Sequence, residues 1–274
     1  LNRGFLFISA ILTCSGLCQP VNSRISKYAS KAKMRYAIFS DVHANLEAFQ
    51  AVLSAYQKEN IDHYLCLGDI VGYGTDYSEC IRLIKELKAV SIAGNHEWGV
   101  CGKLPLESFT PLAKEAVAWT SKRLNPEELG FLGSLPLTSS LEEAVLAHSS
   151  LESPEEFYYL NNYDEAYNTF NLLKKSACFI GHTHKPGIFV EENAILSFHK
   201  AQNLRLEENK RYIINVGSVG QSRDNDWRAS FAVYDSSSKT VEIKRIAYDV
   251  ETAQKKIMAS GLPEELALRL SQNV

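Results

Sequence analysis

The chain reads as an α/β fold built around more than one sheet, and three observations carry that reading. Short apolar runs alternate with helical patterns over the first part of the folded region, the rhythm of a parallel sheet covered by helices. Later apolar runs lie closer together and lack long helices between them, which predicts a second, partly antiparallel sheet packed on the first. Of 274 residues, 45% are hydrophobic and 22% charged, so the chain has the apolar surface for a substantial core. The same composition excludes disordered, collagen-like and coiled-coil chains.

Before the first strand lies a segment of different character. Arg3 is followed by the apolar run Gly4 to Leu17, then by a polar, basic stretch ending in Lys31 and Lys33. A run of about 14 residues is too short to span a membrane. It has the outline of a signal peptide, yet no small-x-small cleavage site follows, and neither Cys14 nor Cys18 has a lipobox-like approach. Met34 stands immediately before the first good strand and is expected to be the natural start, with residues 1–33 an upstream extension. A genuine export signal is the alternative. Either way the domain is expected over residues 34–274, and without export it is cytoplasmic.

Arg35 to Ser40 reads as the first strand. Asn45 then caps a helix whose Leu46, Phe49, Val52, Leu53 and Tyr56 recur on one face. Tyr64 to Leu67 is the next strand, followed by a Gly-rich turn and a helix from about Ser78 to Lys88 carrying Ile81, Ile84 and Leu87. Ala89 to Ala93 completes a βαβαβ unit. Residues of about 100–140 break the rhythm. There Thr110-Pro111 and Asn125-Pro126 each place an N-cap residue before a first-turn proline, predicting two helices, about 111–124 and 126–132. Strand-like runs resume at Ala144–Ala147, Ala177–Ile180, Tyr212–Asn215, Ser230–Tyr234 and Thr240–Ala247, with a helix from about Asp164 to Lys174.

Charge and cysteine content narrow the function. With 29 basic and 32 acidic side chains the net charge is −3, and a non-specific polyanion binder would need a clustered basic surface. No long nucleic acid and no membrane partner is expected. The six cysteines lack the two-residue gap of a zinc or thioredoxin-like motif. Cys66 and Cys178 lie in apolar runs, as buried thiols do, so the folded part reads as reduced.

The chemistry gathers where the strands end. Asp41 and His43 follow the first strand, Asp69 the second, Asn95 and His96 the third; His148 follows Leu146-Ala147, and His182 and His184 follow Gly181. Open α/β sheets place ligands in the crevice outside the carboxyl ends of their strands. Taken singly, each motif has an ordinary explanation: a turn with a surface imidazole, or a Gly-Asp turn. The pair His182 and His184 is stronger, because alternate residues of an extended segment project to one side. Five of seven histidines belong to this set, whereas His63 and His199 read as structural or solvated.

Asp41-x-His43, Gly68-Asp69-x-x-Gly72, Gly94-Asn95-His96-Glu97, His148 and Gly181-His182-x-His184 resemble the five ordered motifs of the calcineurin-like metallophosphoesterases. The resemblance runs from about Met34 to Tyr248. Val71-Gly72-Tyr73-Gly74, the two-helix insert and the run from Asn215 to Asp224 are similar to a bacterial branch of small single-domain phosphoesterases and phosphodiesterases. Ser149 stands where that branch commonly has Gly, and Val216 where Pro is common; both departures concern loop geometry.

The resemblance implies a four-layer α/β/β/α sandwich of two mixed β-sheets flanked by helices. It implies one divalent metal on Asp41, His43, Asp69 and His184 and a second on Asp69, Asn95, His148 and His182, with Asp69 shared. Two divalent ions less the charges of Asp41 and Asp69 leave about +2, matched to phosphate. The donor set suits Mn, Fe, Co or Zn, and the family leans to Mn. The implied reaction is hydrolysis of phosphate mono- or diesters, nucleotides among them, by a metal-bridging hydroxide, with His96 as proton donor to the leaving oxygen. Glu97 or Asp41 would orient His96 through its other ring nitrogen. Arg223 and Arg228 are candidates to contact the substrate, against the alternative that they pair with Asp224 and Asp226. The rival functions are a catalytically silent scaffold, which would have lost ligands that are all present here, and a nuclease, which would need a basic, aromatic groove.

Overall fold

β1 (Arg35–Phe39) buries residues on both of its faces, as a strand covered from two sides must. Ala37 and Phe39 enter a core with Phe49 and Val52 of α1 (Leu46–Tyr56) and Ile81 and Ile84 of α2 (Tyr77–Glu86), while Ile38 enters a different one. This computed structural model describes residues 33–200 and 202–271. The expected leader, with Cys14 and Cys18, lies outside the described residues apart from Lys33. Asn45 caps α1 as expected, its side chain accepting the Ala48 N–H at 3.1 Å. At the far end, the buried Tyr56 hydroxyl donates to the carbonyls of Ile38 (2.9 Å) and Ala232 (3.1 Å), fixing the helix to the strands beneath it.

β2 (His63–Cys66) and β3 (Val90–Ser91) continue β1 in parallel, completing the βαβαβ unit. The insert contains α3 (Asn95–Val100), α4 (Pro111–Ser121) and α5 (Pro126–Ser134), the last two opening on the predicted prolines. Asn125 and Glu128 exchange reciprocal capping bonds of 2.9 Å at the start of α5. α3, a single short turn and a half, has too few residues to show a period.

The remainder comprises β4 (Thr138–Ser140), β5 (Ala144–Ala147), α6 (Tyr163–Leu172), β6 (Ala177–Ile180), β7 (Gly187–Glu192), β8 (Ile195–His199), β9 (Asn203–Arg205), β10 (Lys210–Asn215), β11 (Ala229–Asp235), β12 (Thr240–Ile246), α7 (Val250–Ala259) and α8 (Glu264–Leu268). One sheet has the order β3-β2-β1-β11-β12-β9, the other β4-β5-β6-β10-β7-β8. The late runs therefore do not form the second sheet alone, as their close spacing suggests. β11 pairs antiparallel with β1, which has β2 on only one side, and β12 and β9 extend that edge. The core of the second sheet is parallel, β5-β6-β10, with antiparallel strands outside it.

Four layers follow from the alternation of side chains. Phe179, Tyr212 and Ile214 of the second sheet meet Ile38, Leu65 and Ile92 of the first. Cys178, Ile180 and Ile213 face outward onto Phe170 of α6. Cys66, Cys80 and Cys178 are buried free thiols, and burial pushes Cys178 up to about 12. Among the described residues no helix is long and apolar enough to cross a membrane.

Candidate metal centre

Every predicted ligand position lies beyond the carboxyl end of a strand or at the helix that follows it. β1, β2 and the β3–α3 junction carry Asp41, His43, Asp69 and Asn95; β5 and β6 carry His148, His182 and His184. Packing of the two sheets brings these ends together. Donor atoms of Asp41, His43, Asp69 and His184 all lie within 4.8 Å of one another, and so do those of Asp69, His148 and His182. Asp69 belongs to both groups. Its Oδ2 is 3.7 Å from His43 Nε2 and 3.3 Å from His148 Nε2. Across the first group His43 Nε2 and His184 Nε2 are 3.1 Å apart; across the second, His148 Nε2 and His182 Nδ1 are also 3.1 Å apart. Two imidazole lone pairs at that separation repel unless a proton or cation lies between them, and two donors about 2 Å from one ion have this spacing.

The rings are aimed by backbone carbonyls. Nδ1 of His43 faces Val71 O (3.1 Å), Nδ1 of His148 faces Leu67 O (2.7 Å), and Nδ1 of His184 faces Gln221 O. With the Nδ1 proton donated outward, each Nε2 presents its lone pair to the centre, the usual way of setting a ligand's tautomer. Asp41 accepts the His182 backbone N–H, at 3.0 Å from Oδ2, and Asp69 Oδ1 accepts the His96 N–H at 2.9 Å.

Backbone strain is also present at this place. Asp41, His43, Asp69, His182 and His184 all have left-handed backbones, with φ between 50° and 64°. None is glycine, and such conformations each cost about 1–3 kcal/mol unless the surroundings impose them. Close packing explains two of the motif glycines. A Cβ at Gly181 would stand 2.0 Å from Ser40 Oγ and 2.4 Å from Asp41 Oδ2. One at Gly72, where φ is +87°, would stand 2.0 Å from His96 Nδ1.

The fit to a cation also shows in what is left unpartnered. Asn95 Oδ1, His96 Nδ1 and His182 Nε2 are buried with no hydrogen-bond partner among the described residues. An unsatisfied buried amide oxygen costs about 1–3 kcal/mol, so Asn95 is aimed at something the chain itself does not supply. Burial acts to raise the Asp41 and Asp69 carboxyls, but facing imidazoles, His184 for Asp41 and His148 for Asp69, outweigh it and hold both low. Burial lowers His43 and His184 and takes His182 down to about 3, leaving neutral rings. His148 is the exception: burial opposes its charge, yet Asp69 outweighs burial and lifts it to about 9. Ionised carboxylates and neutral imidazoles are the forms a divalent ion requires.

The expectation that Glu97 or Asp41 orients His96 is not met. Glu97 is fully buried, but its Oε2 accepts the N–H groups of Asp69 (2.7 Å) and Gly94 (2.8 Å), and its Oε1 accepts that of Ile70 (2.8 Å). It ties the Asp69 loop to the start of α3, and Asp41 is held by the His182 backbone. The His96 ring instead packs edge-on against His43, 4.7 Å between centroids, and against Tyr73 and Phe109.

The two arginines part company. Arg228 makes a two-pronged pair with Asp226, at 2.9 and 2.7 Å, and is 46% exposed, so the ordinary ion-pair reading holds for it. Arg223 ignores Asp224, which pairs with Arg245, and reaches Tyr73 Oη at 3.3 Å. Tyr73 in turn packs on His43 at 4.5 Å, which puts Arg223 at the edge of the centre. Residue-by-residue reading passed over Asn215, whose Nδ2 donates to Gly181 O (2.6 Å) and Thr183 Oγ1 (2.9 Å) and so pins the His182–His184 loop. It also passed over Tyr159, stacked 4.2 Å from the His182 ring. Asn215 stood within a recognised motif; Tyr159 carried no local signal. His63 and His199 lie outside the cluster, as expected.

The solved structure of a metallophosphoesterase from Sphaerobacter thermophilus matches with a TM-score of 0.79 at 38% identity, covering 88% of this chain and 100% of the other. That of a hypothetical protein from Pyrococcus horikoshii shares the fold at 17% identity, with a TM-score of 0.71 over 88% of this chain and 98% of the other. An uncharacterized protein of Methanocaldococcus jannaschii is 40% identical over 246 residues, 87% of this chain and 98% of that protein. Residues 34–239 match the calcineurin-like phosphoesterase superfamily domain. That match covers every described strand except β12 and every clustered Asp and His, and with the shared fold it makes the chain a member of the calcineurin-like metallophosphoesterase superfamily.

Proposed function

We propose that the chain hydrolyses phosphate mono- or diesters at a two-metal centre, one ion held by Asp41, His43, Asp69 and His184 and the other by Asp69, Asn95, His148 and His182. The observation that carries the reading is the carboxylate of Asp69, common to two inward-facing donor clusters. Bound there, two divalent cations, Mn by family preference, would clamp phosphoryl oxygens and bring the pKa of water toward neutrality. The chain's own groups do the rest. Asp41 and Asp69, held ionised, balance part of the cationic charge, and the strained turns fix donors that would otherwise relax apart.

His96 is the proposed proton donor to the leaving oxygen. Burial takes it down to about 4, which favours the neutral ring at pH 7. A phosphate anion seated beside it favours the protonated ring, which couples proton uptake to substrate binding. Arg223, whose side-chain partners among the described residues are the neutral Tyr73 and Gln221 (3.2 Å), would steer a phosphate oxygen. A silent scaffold would have no use for strained backbones at Asp69 and at four further residues around its carboxylate. The test is elemental analysis of the reconstituted protein with assay against monoesters, diesters and dinucleoside polyphosphates. About two metals per chain and turnover of at least one class are expected; a stoichiometry near zero in folded protein refutes the reading.

A further inference from the structure

We propose that the groove lined by Lys185, Lys200 and Arg223 is a subsite for a second anionic group of the substrate, placed beside the metal centre. The proposal rests on the phosphoesterase reading and names the class of ester it takes: one carrying a further phosphate, as in a nucleoside bisphosphate. The groove has a volume of about 630 Å³, within the range of small-molecule sites. Two links join it to the centre. Lys185 directly follows His184, and Arg223, on the groove wall, donates its backbone N–H to His184 O at 3.3 Å and reaches Tyr73 with its side chain.

Its charge is not balanced from within. The groove has two carboxylates, Asp224 and Asp226, and both are already engaged, Asp224 by Arg245 and Asp226 by Arg228. Lys185 and Lys200 are exposed and have no ion-pair partner among the described residues, and Arg223 bonds only to neutral groups. Three uncompensated cations thus face one cavity in a chain whose net charge is −3. Such a concave cationic surface raises the local concentration of a matching anion. Phe198, 41% exposed, adds an apolar wall for the part of the ligand between its two charged ends.

The test compares two ligands that differ by one phosphate, adenosine 5′-monophosphate and adenosine 3′,5′-bisphosphate, by calorimetric titration of the metal-loaded protein. The bisphosphate is expected to bind about tenfold more tightly, since two partly solvated charge contacts each contribute a fraction of that factor. In the Lys185→Ala, Lys200→Ala double variant, with Arg223 left alone, the preference should fall to about twofold or less. Lys200→Ala alone, far in sequence from any candidate ligand, should lower it in part. Equal affinities in the unmodified protein, or a preference that survives both variants, overturns the subsite. Hydrolysis of p-nitrophenyl phosphate by the unmodified protein is read separately. Its absence with the preference intact would refute the reaction and leave the groove standing.

Discussion

On the side of the centre formed by His43 and His184, both imidazoles are clamped through Nδ1 to backbone carbonyls and both are held neutral by burial. On the side formed by Asn95, His148 and His182, only His148 is clamped in this way. Among the described residues His182 turns Nδ1 inward and leaves Nε2 without a partner, Asn95 Oδ1 has none either, and Asp69 lifts the pKa of His148 to about 9. The coverings differ too: Tyr73 is 7% exposed over the first side, Tyr159 45% exposed over the second. Orientation and protonation of the first half are thus set by the chain, whereas the second half leaves donors that the described residues do not pair. A half of the first kind is preorganised; one of the second kind responds to pH and to its ligand.

The largest effect is expected where the halves meet. Asp69→Asn removes the charge common to both, and turnover of p-nitrophenyl phosphate should fall by about a thousandfold, roughly 4 kcal/mol of barrier, with metal content falling well below that of the parent. A variant that kept both ions and its rate would show that the clusters are independent.

Next comes His96→Ala. It should keep both ions and lose about a hundredfold in kcat, with a smaller loss for a nitrophenol leaving group than for an alkoxide. An equal loss for both would make His96 a positioning group.

Metal titrations at several pH values sharpen the contrast between halves. The proton on His148 must leave before an ion can use Nε2, so affinity on that side should weaken as pH falls below about 9, by at most about tenfold per unit. His43 and His184, neutral already at pH 7, should impose no such dependence there. Identical pH slopes for the two binding steps would erase the distinction.

Tyr73→Phe should be the mildest change. It removes the 3.3 Å bond to Arg223 and nothing else the ring does, so unfolding should show a loss of about 0.5–1 kcal/mol with metal content unchanged. A large drop in metal content would mean that the hydroxyl, through Arg223, helps to hold the clamped side.

Legibility in the sequence followed the range of each interaction. β1, β2, α1 and the prolines that open α4 and α5 are local patterns and were readable. β4 and β9, three residues each at the outer parts of their sheets, carry too little periodicity to be seen. α7 had a readable start, since Asp249 caps it through Thr252 N at 3.0 Å and Ala253 and Ile257 share its buried face. The Asp69 and Ile70 partners of Glu97 were beyond reach, because they are backbone groups of a loop about 28 positions away; only its bond from the Gly94 N–H is local. Arg223 and Arg228 are equivalent in the sequence, five residues apart beside acids; only the fold places one against Tyr73 and the other against Asp226.

What the amino-acid order determined by itself was chemical type and place along the chain: which carboxylates, imidazoles and amide follow which strand, and hence a donor set without thiolate. What only the tertiary structure decided was their meeting. The division into two clusters sharing Asp69 depends on two sheets packing through Ile38, Leu65, Phe179 and Ile214 so that strand ends from both come within 4.8 Å. The left-handed turns that aim the donors are likewise imposed from outside. Asp and His have no intrinsic need of positive φ, and the packed strands hold these residues there, with the carbonyls of Val71 and Gln221 fixing the rings of His43 and His184.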